Sequence, residues 1–277
     1  MLSVVVVGYD MERELPRTLL SLSSAYQRDI TEPFEVIVVD NGSPVPVAVS
    51  EPDDVVRVLR LEHAGVSPAP AVNAGLAASR GDWICVFIDG ARLASPGLLA
   101  QSLRACREFE RPVVGTFAYH LGPGLQQETM RQGYDREAED RLLAGIDWTE
   151  NGYRLFEIAS LAASSSGAPS RLPAETNSLC MPRELWEELG GFDERFRAPG
   201  GGLVNLDAFA RACALPGADV VMLLGEGTFH QIHGGIATNA ERDPWAEFHD
   251  EYVSIRGHAF ERPTGPFTTL GPATGRA

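Results

Sequence analysis

Cysteine is scarce: the 277 residues hold four, Cys85, Cys106, Cys180 and Cys213, and no two of them form a C-x-x-C pair. That spacing speaks against a zinc ribbon or a disulfide scaffold, and the four are expected to be free thiols in a reducing compartment. Long apolar runs are lacking as well. None approaches the roughly 20 residues a helix needs to cross a bilayer. The opening Leu2–Val7 run has no basic flank and no cleavage site, so it reads as a buried strand. The expectation is a cytoplasmic protein with no direct membrane insertion. Positive charge is also short, with 23 basic against 38 acidic residues and a net charge of −15. Such a surface repels phosphate backbones, which excludes nucleic acid as an expected partner. The acidic excess gathers in Glu128–Glu150 and Glu241–Glu251, read as solvated helical faces. No G-x-G-x-x-G follows the first apolar run, which argues against an NAD-dependent oxidoreductase. Gly8–Arg13 is not the Gly- and Arg-rich loop that a nucleotidyltransferase would need.

What is present alternates in a regular way. Valine-rich Leu2–Val7 and apolar Phe34–Val39 read as strands buried on both faces, the second stopped by Asp40-Asn41-Gly42-Ser43. Leu15, Leu19, Leu22 and Tyr26 fall at helical spacing between them. Val55–Leu59, Trp83–Ile88, Pro112–Tyr119 and Ala218–Leu224 read as further strands. Helices are expected at Val72–Ser79, from Ser95-Pro96 to about Arg107, at Gln126–Gly145, Pro182–Leu189 and Val204–Ala214. Ala159–Pro173 reads as a flexible loop and candidate lid, Pro199–Gly202 as a second mobile loop, and 263–277 as a disordered tail. The alternation predicts an α/β fold, a mostly parallel twisted sheet with helices on both faces. Its ligand crevice should lie at the carboxyl ends of the strands, where Asp40 and Asp89 fall.

Several segments, in order, carry a resemblance. Val4–Tyr9 leads into a leucine-rich helix. Val38-Val39-Asp40-Asn41-Gly42-Ser43 follows, then Asn73-Ala74-Gly75 with Gly81-Asp82-Trp83-Ile84 and Ile88-Asp89. Asn177 and Gly190-Gly191-Phe192-Asp193-Glu194 come last. Together they resemble family-2 glycosyltransferases of the GT-A fold over most of Met1–Gln231. The resemblance implies a nucleoside-diphosphate sugar donor, UDP- or GDP-linked, with residues 1–120 as the donor-binding half. Residues 121–262 would be the acceptor-binding half of the same domain. It assigns Asp40 to the base, Tyr9 to stacking beside it, and Asn73, Asn177 and Asp89 to the donor. For Asn73 a helix-capping role stands as the alternative, and for Asp40 a plain turn-forming role. Trp148 and Trp186 are either sugar platforms or core.

Two departures from the family pattern follow. The D-x-D motif that holds a divalent ion reads Asp89-Gly90-Ala91-Arg92, with the second carboxylate missing. Either Asp89 is joined by a histidine, His230 first and His233 second, or Arg92 takes over the ion's electrostatic role. The implied cofactor is Mn2+ or Mg2+. His63, His120, His249 and His258 lack comparable context. The second departure is Val204-Asn205 where family members carry an acidic pair whose aspartate is the base. Asn205-Leu206-Asp207 with Arg211 is similar to a stretch of the retaining polypeptide N-acetylgalactosaminyltransferases, which suggests a retaining reaction. Inversion with Asp193 or Asp207 as base is the competing course, and a non-catalytic nucleotide-sugar-binding module is the competing class. Asp193 also has a turn-capping reading, and Asp207 with Arg211 a helix-pair reading. The acceptor hydroxyl is not specified by any motif.

Overall fold

A computed structural model describes residues 1–49, 55–62, 64–234 and 244–271. His63, Gly235, Glu241 and the end of the expected tail, 272–277, lie outside the described residues. The strands are β1 (Leu2–Gly8), β2 (Phe34–Asp40), β3 (Val56–Arg60), β4 (Trp83–Phe87), β5 (Arg92–Ala94), β6 (Pro112–Leu121), β7 (Ala159–Leu161), β8 (Leu179–Pro182), β9 (Asp219–His230) and β10 (Thr268–Leu270). The helices are α1 (Leu15–Ser21), α2 (Ala69–Ala78), α3 (Leu98–Glu108), α4 (Gln126–Arg131), α5 (Arg136–Ala144), α6 (Arg183–Leu189), α7 (Val204–Cys213) and α8 (Trp245–Arg256).

The strands form one sheet in the order β10-β9-β6-β8-β4-β1-β2-β3, with β5 added to β9 and β7 to β6. β1 to β4 run parallel, as do β6, β9 and β10, while β8 runs antiparallel between β4 and β6. The mixed α/β architecture expected from the alternation is therefore observed. Every residue of β1 and β2 is buried, because apolar clusters cover the sheet on both faces. No helix among the described residues is long and apolar enough to cross a membrane.

Three expectations are corrected. The tail from residue 263 is not without structure, since β10 pairs in parallel with Val221–Leu223 of β9. The Ala159–Pro173 segment is not an open lid. β7 pairs with β6, Ala162 and Leu172 are buried, and Ser165 Oγ accepts from Ala118 N at 2.9 Å. Arg262 clamps it from outside by donating to the Ser166 carbonyl at 2.9 Å. The Pro199–Gly202 loop is likewise held, with Gly200 N donating to Val66 O at 3.0 Å and Glu251 accepting from Arg197 N and Ala198 N. The four cysteines are free, three of them buried.

The glycines of the motif segment have packing roles. A Cβ on Gly75 would lie 2.3 Å from Val5 Cγ1 and 3.1 Å from Val39 Cγ2, so its absence lets α2 rest directly on β1 and β2. At Gly81 a Cβ would meet the Ser3 amide at 2.6 Å. Asn73 neither caps α2 nor faces the crevice. Its Nδ2 donates to Phe192 O (2.9 Å) and Glu194 Oε1 (2.8 Å), and its Oδ1 accepts from Phe192 N (2.9 Å). It pins the Gly190–Glu194 turn to α2. Trp148 and Trp186 are buried, the latter donating to Ile84 O at 2.9 Å, so both belong to the core.

Replacing Gly75 tests this contact. Alanine gains about 1 kcal/mol in helix propensity, but overpacking a tight interface costs about 1–3 kcal/mol. At 2.3 Å the clash dominates. Gly75→Ala is expected to lower unfolding free energy by roughly 1–2 kcal/mol in urea titration; an unchanged or raised midpoint would show that α2 does not bear on Val5 as described.

Candidate active site at the carboxyl edge of the sheet

Asp89 lies just past β4, and β5 begins three residues later and pairs antiparallel with the far half of β9, placing Arg92 opposite His230. His120 on β6 is the partner of His230 on its other side. The chain folds back at Gln231, whose amide donates to Ala91 O at 2.9 Å, and this returns His233 to the same point. His230 Nε2 lies 3.0 Å from Asp89 Oδ2, His233 Nε2 lies 3.6 Å from it, and the two Nε2 atoms are 3.0 Å apart. Arg92 Nε is 3.4 Å from the same carboxylate oxygen. Asp89 Oδ1 accepts from Ala91 N at 2.9 Å.

The tautomer of His230 is set by a residue with no sequence motif. Gln126, fully buried at the start of α4, donates through Nε2 to His230 O at 3.0 Å. Its Oε1 is thereby left to accept, and it sits 2.5 Å from His230 Nδ1. Nδ1 then carries the proton and Nε2 presents a lone pair. That lone pair faces a carboxylate oxygen at 3.0 Å, an arrangement that needs a positive charge between the two acceptors. A proton on His233 supplies it, and so does a cation. Ligands in cis positions about 2.1 Å from an octahedral ion stand about 3.0 Å apart. Two of the observed edges, both 3.0 Å, fit such a spacing and the third, 3.6 Å, is wider, so the three atoms are close enough that one cation could bridge them. Two histidines and one carboxylate on a single face leave the opposite positions to a ligand.

Electrostatics fit the geometry. Burial would push the Asp89 carboxyl up, but His233 and His230 outweigh it and hold it well below the usual range. Burial and the Arg92 charge push His230 down to about 3 and His120 down to about 4. For His233 the burial penalty is overcome by Asp89, so its value rises. The loop between the histidines is clamped by Arg13, just ahead of α1, and by Glu139 of α5. Ile232 N donates to the wholly buried Glu139 (2.7 Å), and Arg13 donates to Ile232 O (3.1 Å) and to Glu139 (3.1 Å). Burial lifts Glu139 to about 7 in spite of those contacts. Beside His233 opens a cavity of about 560 Å³ walled by Tyr134, Arg136 and Gly234 among others.

The remaining expected residues divide. Tyr9, half exposed beyond β1, is free to stack a planar group. Asp40 is wholly buried and accepts from Ser43 N (2.8 Å), Val47 N (3.2 Å) and Arg60 Nη1 (2.6 Å). Those contacts outweigh its burial and keep it ionised. To read a base it must exchange one of them. Asp207 is corrected as a base. It is buried, bridged by both arms of Arg256 (2.6 and 2.7 Å) and by Arg211 (2.8 Å). Asp193 is likewise occupied by Arg195 and Arg256, chiefly the former, which hold it far below the carboxylate range and leave it a poor proton acceptor. Asn205 and Asn177 do lie together, Asn205 Nδ2 donating to Asn177 Oδ1 at 3.3 Å and to Glu175 Oε2 at 2.7 Å. His120, without context in the sequence, is part of the site: its ring centroid is 5.7 Å from that of His230, and its Nδ1 accepts from Gln126 N. Sequence reasoning also missed Gln126 and Glu175, which stand in no recognisable spacing.

The sequence model of glycosyl transferase family 2 matches residues 3–153. The chain belongs to glycosyl transferase family 2. No curated protein matches it. Among solved structures it is similar to S. aureus TarS 1–349 in complex with UDP-GlcNAc, at 14% identity and a TM-score of 0.55 over 94% of this chain and 68% of that one. It spans 92% of itself but only 42% of the longer S. aureus TarS structure, at 14% identity and a TM-score of 0.51. The mannosyltransferase PcManGT from Pyrobaculum calidifontis, in complex with GDP-Man and Mn2+, matches at 16% identity and 0.53, over 95% of this chain and 65% of that one. At such identities the likeness is one of fold.

The buried histidines make a pH prediction. His120 and His230 have folded values below the ordinary 6.5, so their contribution is complete above that pH. It is lost as pH falls toward their folded values, because the unfolded chain then binds more protons. His233 and Glu139, both raised, act in the opposite sense: Glu139's contribution is lost as pH rises through about 7. Melting temperature should therefore drop from about pH 6.5 to about pH 4, and His120→Gln, which keeps an acceptor for the Gln126 amide, should flatten that slope. A wild-type curve flat over that window would contradict neutral histidines.

Proposed function

We propose that this family-2 protein transfers a sugar from a UDP- or GDP-linked donor to an acceptor hydroxyl, with Mn2+ or Mg2+ held by Asp89, His230 and His233. The triangle of Nε2, Nε2 and Oδ2 atoms carries the reading, because the three are close enough for one cation to bridge them. Bound there, a divalent ion neutralises the diphosphate as it leaves. The chain's own residues do the rest. Gln126 holds His230 in the tautomer whose lone pair points inward, and Arg92 adds fixed positive charge beside Asp89. Tyr9 stacks the base, Asp40 with Arg60 shapes the turn beneath it, and Asn177 meets the sugar. Residues 1–120 serve the base and carry Asp89, while 121–262 supply the acceptor side and also return His230 and His233 to the donor. The UDP-GlcNAc and the GDP-Man with Mn2+ in the two similar folds support this donor class.

The retaining course rests on the likeness of Asn205-Leu206-Asp207 with Arg211 to retaining enzymes and on an amide standing where family members carry the base. Only the second of these bears on what lies nearby. Glu175 stands 2.7 Å from Asn205 Nδ2, so a carboxylate is at hand beside that amide. The competing reading, a binder without turnover, rests on the two family carboxylates replaced here by Ala91 and Asn205. The two readings part on one measurement. Mn2+ with UDP-GlcNAc or GDP-Man should raise the melting temperature, by about 2.7 kcal/mol of stabilisation at 100 times the Kd. Asp89→Ala and His230→Ala should abolish both the Mn2+-dependent shift and nucleoside diphosphate release. No shift with either donor would count against the proposal, and a shift without any release would favour the binder.

A further inference from the structure

The topology brings a third carboxylate to the same edge. β8 is antiparallel to its neighbours β4 and β6, so its beginning, not its end, lies where β4 and β9 terminate. Leu179 pairs with Val86, three residues before Asp89, and the chain just ahead of Leu179 is Glu175-Thr176-Asn177-Ser178. Thr176 is fastened to β6, its Oγ1 accepting from Thr116 N (2.9 Å) and donating to Thr116 O (3.0 Å). Glu175 therefore emerges between the strand that leads to Asp89 and the pair of strands that ends at His120 and His230. It is half-buried, and its Oε2 accepts from Asn205 Nδ2 at 2.7 Å. The same Asn205 amide also donates to Thr176 O at 3.1 Å, which fixes its orientation toward Glu175. A second observation points to a ligand. Asn177 is 2% exposed, its Oδ1 is taken by Asn205, and its Nδ2 has no hydrogen-bond partner among the described residues. A buried amide N–H left unpaired is costly, and a sugar hydroxyl beside Glu175 would satisfy it.

Resting on the glycosyl-transfer reading above, we infer that Glu175, oriented by Asn205, is the base that deprotonates the acceptor hydroxyl, so that transfer inverts the anomeric centre. Asn205 is the positioning residue: an amide takes no proton, but its N–H aims the neighbouring carboxylate. The acceptor O–H gives its proton to Glu175, and its oxygen forms the new bond to the anomeric carbon. The bond from that carbon to the diphosphate oxygen breaks, and the electron pair leaves on the nucleoside diphosphate. Asp193 and Asp207 cannot share this work, because each is held by arginines.

The test uses the full chain with Mn2+ and UDP-GlcNAc or GDP-Man, water serving as acceptor. Nucleoside diphosphate release and the anomer of freshly freed sugar, read by NMR before mutarotation, are followed together with donor-induced thermal shift. Glu175→Gln should reduce release by about 10²–10⁴-fold while keeping the thermal shift. Glu175→Asp should restore part of the rate. The freed sugar should be β from these α-linked donors. Release by Glu175→Gln within about tenfold of wild type, loss of donor binding in step with rate, or an α product would each overturn the assignment and leave the donor reading standing. Wild-type binding without release would make the chain a binder and remove the base with it. A wild type that binds neither donor would instead bring down the proposed function itself.

Discussion

The carboxylate of Asp89 and the imidazole of His230 come from strands that two others separate in the sheet, and they nevertheless meet at 3.0 Å. The far half of β9 stays paired with β6 and takes β5 on its other side. Its register with β6 jumps between Thr116 and Phe117, where Leu223 and then Gly227 are the partners, so Leu224–Glu226 bulge out. A bulge bends its strand, and it is the half beyond the bulge that pairs with β5. Glu226, within the bulge, does not dangle: it accepts from Ser95 Oγ, Gly97 N at the start of α3 and Tyr153. β5 starts immediately after Asp89, so its pairing with Thr228–His230 fixes how closely the acid and the histidine approach. The active-site edge is thus a consequence of one irregular strand.

Legibility in the sequence follows from what each feature depends on. β1, β2 and β4 were readable because a strand covered on both faces is apolar throughout. The pair His230 and His233 was readable because two imidazoles three apart after a strand are uncommon without a role. β5, β7, β8 and β10 were not, since three or four residues carry no period and owe their pairing to neighbours far along the chain. Gln126 was hidden in a polar helix, where nothing marks one glutamine as fully buried. Asp207 looked like a candidate base because its partner Arg256 lies on α8, 49 residues further on, and Asp193 because nothing in the sequence shows that Arg195, two residues away, folds back onto it. The motif glycines and Asn73 were legible as positions, but their work is packing and turn-holding.

Losing the second carboxylate of a D-x-D motif changes more than ligand count. Two carboxylates would place two negative charges at the crevice of a chain already at −15. Here one carboxylate faces two imidazoles and Arg92, so the triangle is far less anionic. Hard oxygen-only sets suit Mg2+, whereas imidazole nitrogen raises affinity along the first transition series. The nitrogen-rich triangle therefore argues for Mn2+ over Mg2+ among the two ions expected. It also ties occupancy to protons, because the same space is filled by the His233 proton when no cation is there. Asp89 accordingly does not stand in for half of a missing pair. It meets two imidazoles, of which His230 is oriented by Gln126 of α4, while Glu139 of α5 and Arg13 hold the loop that carries His233.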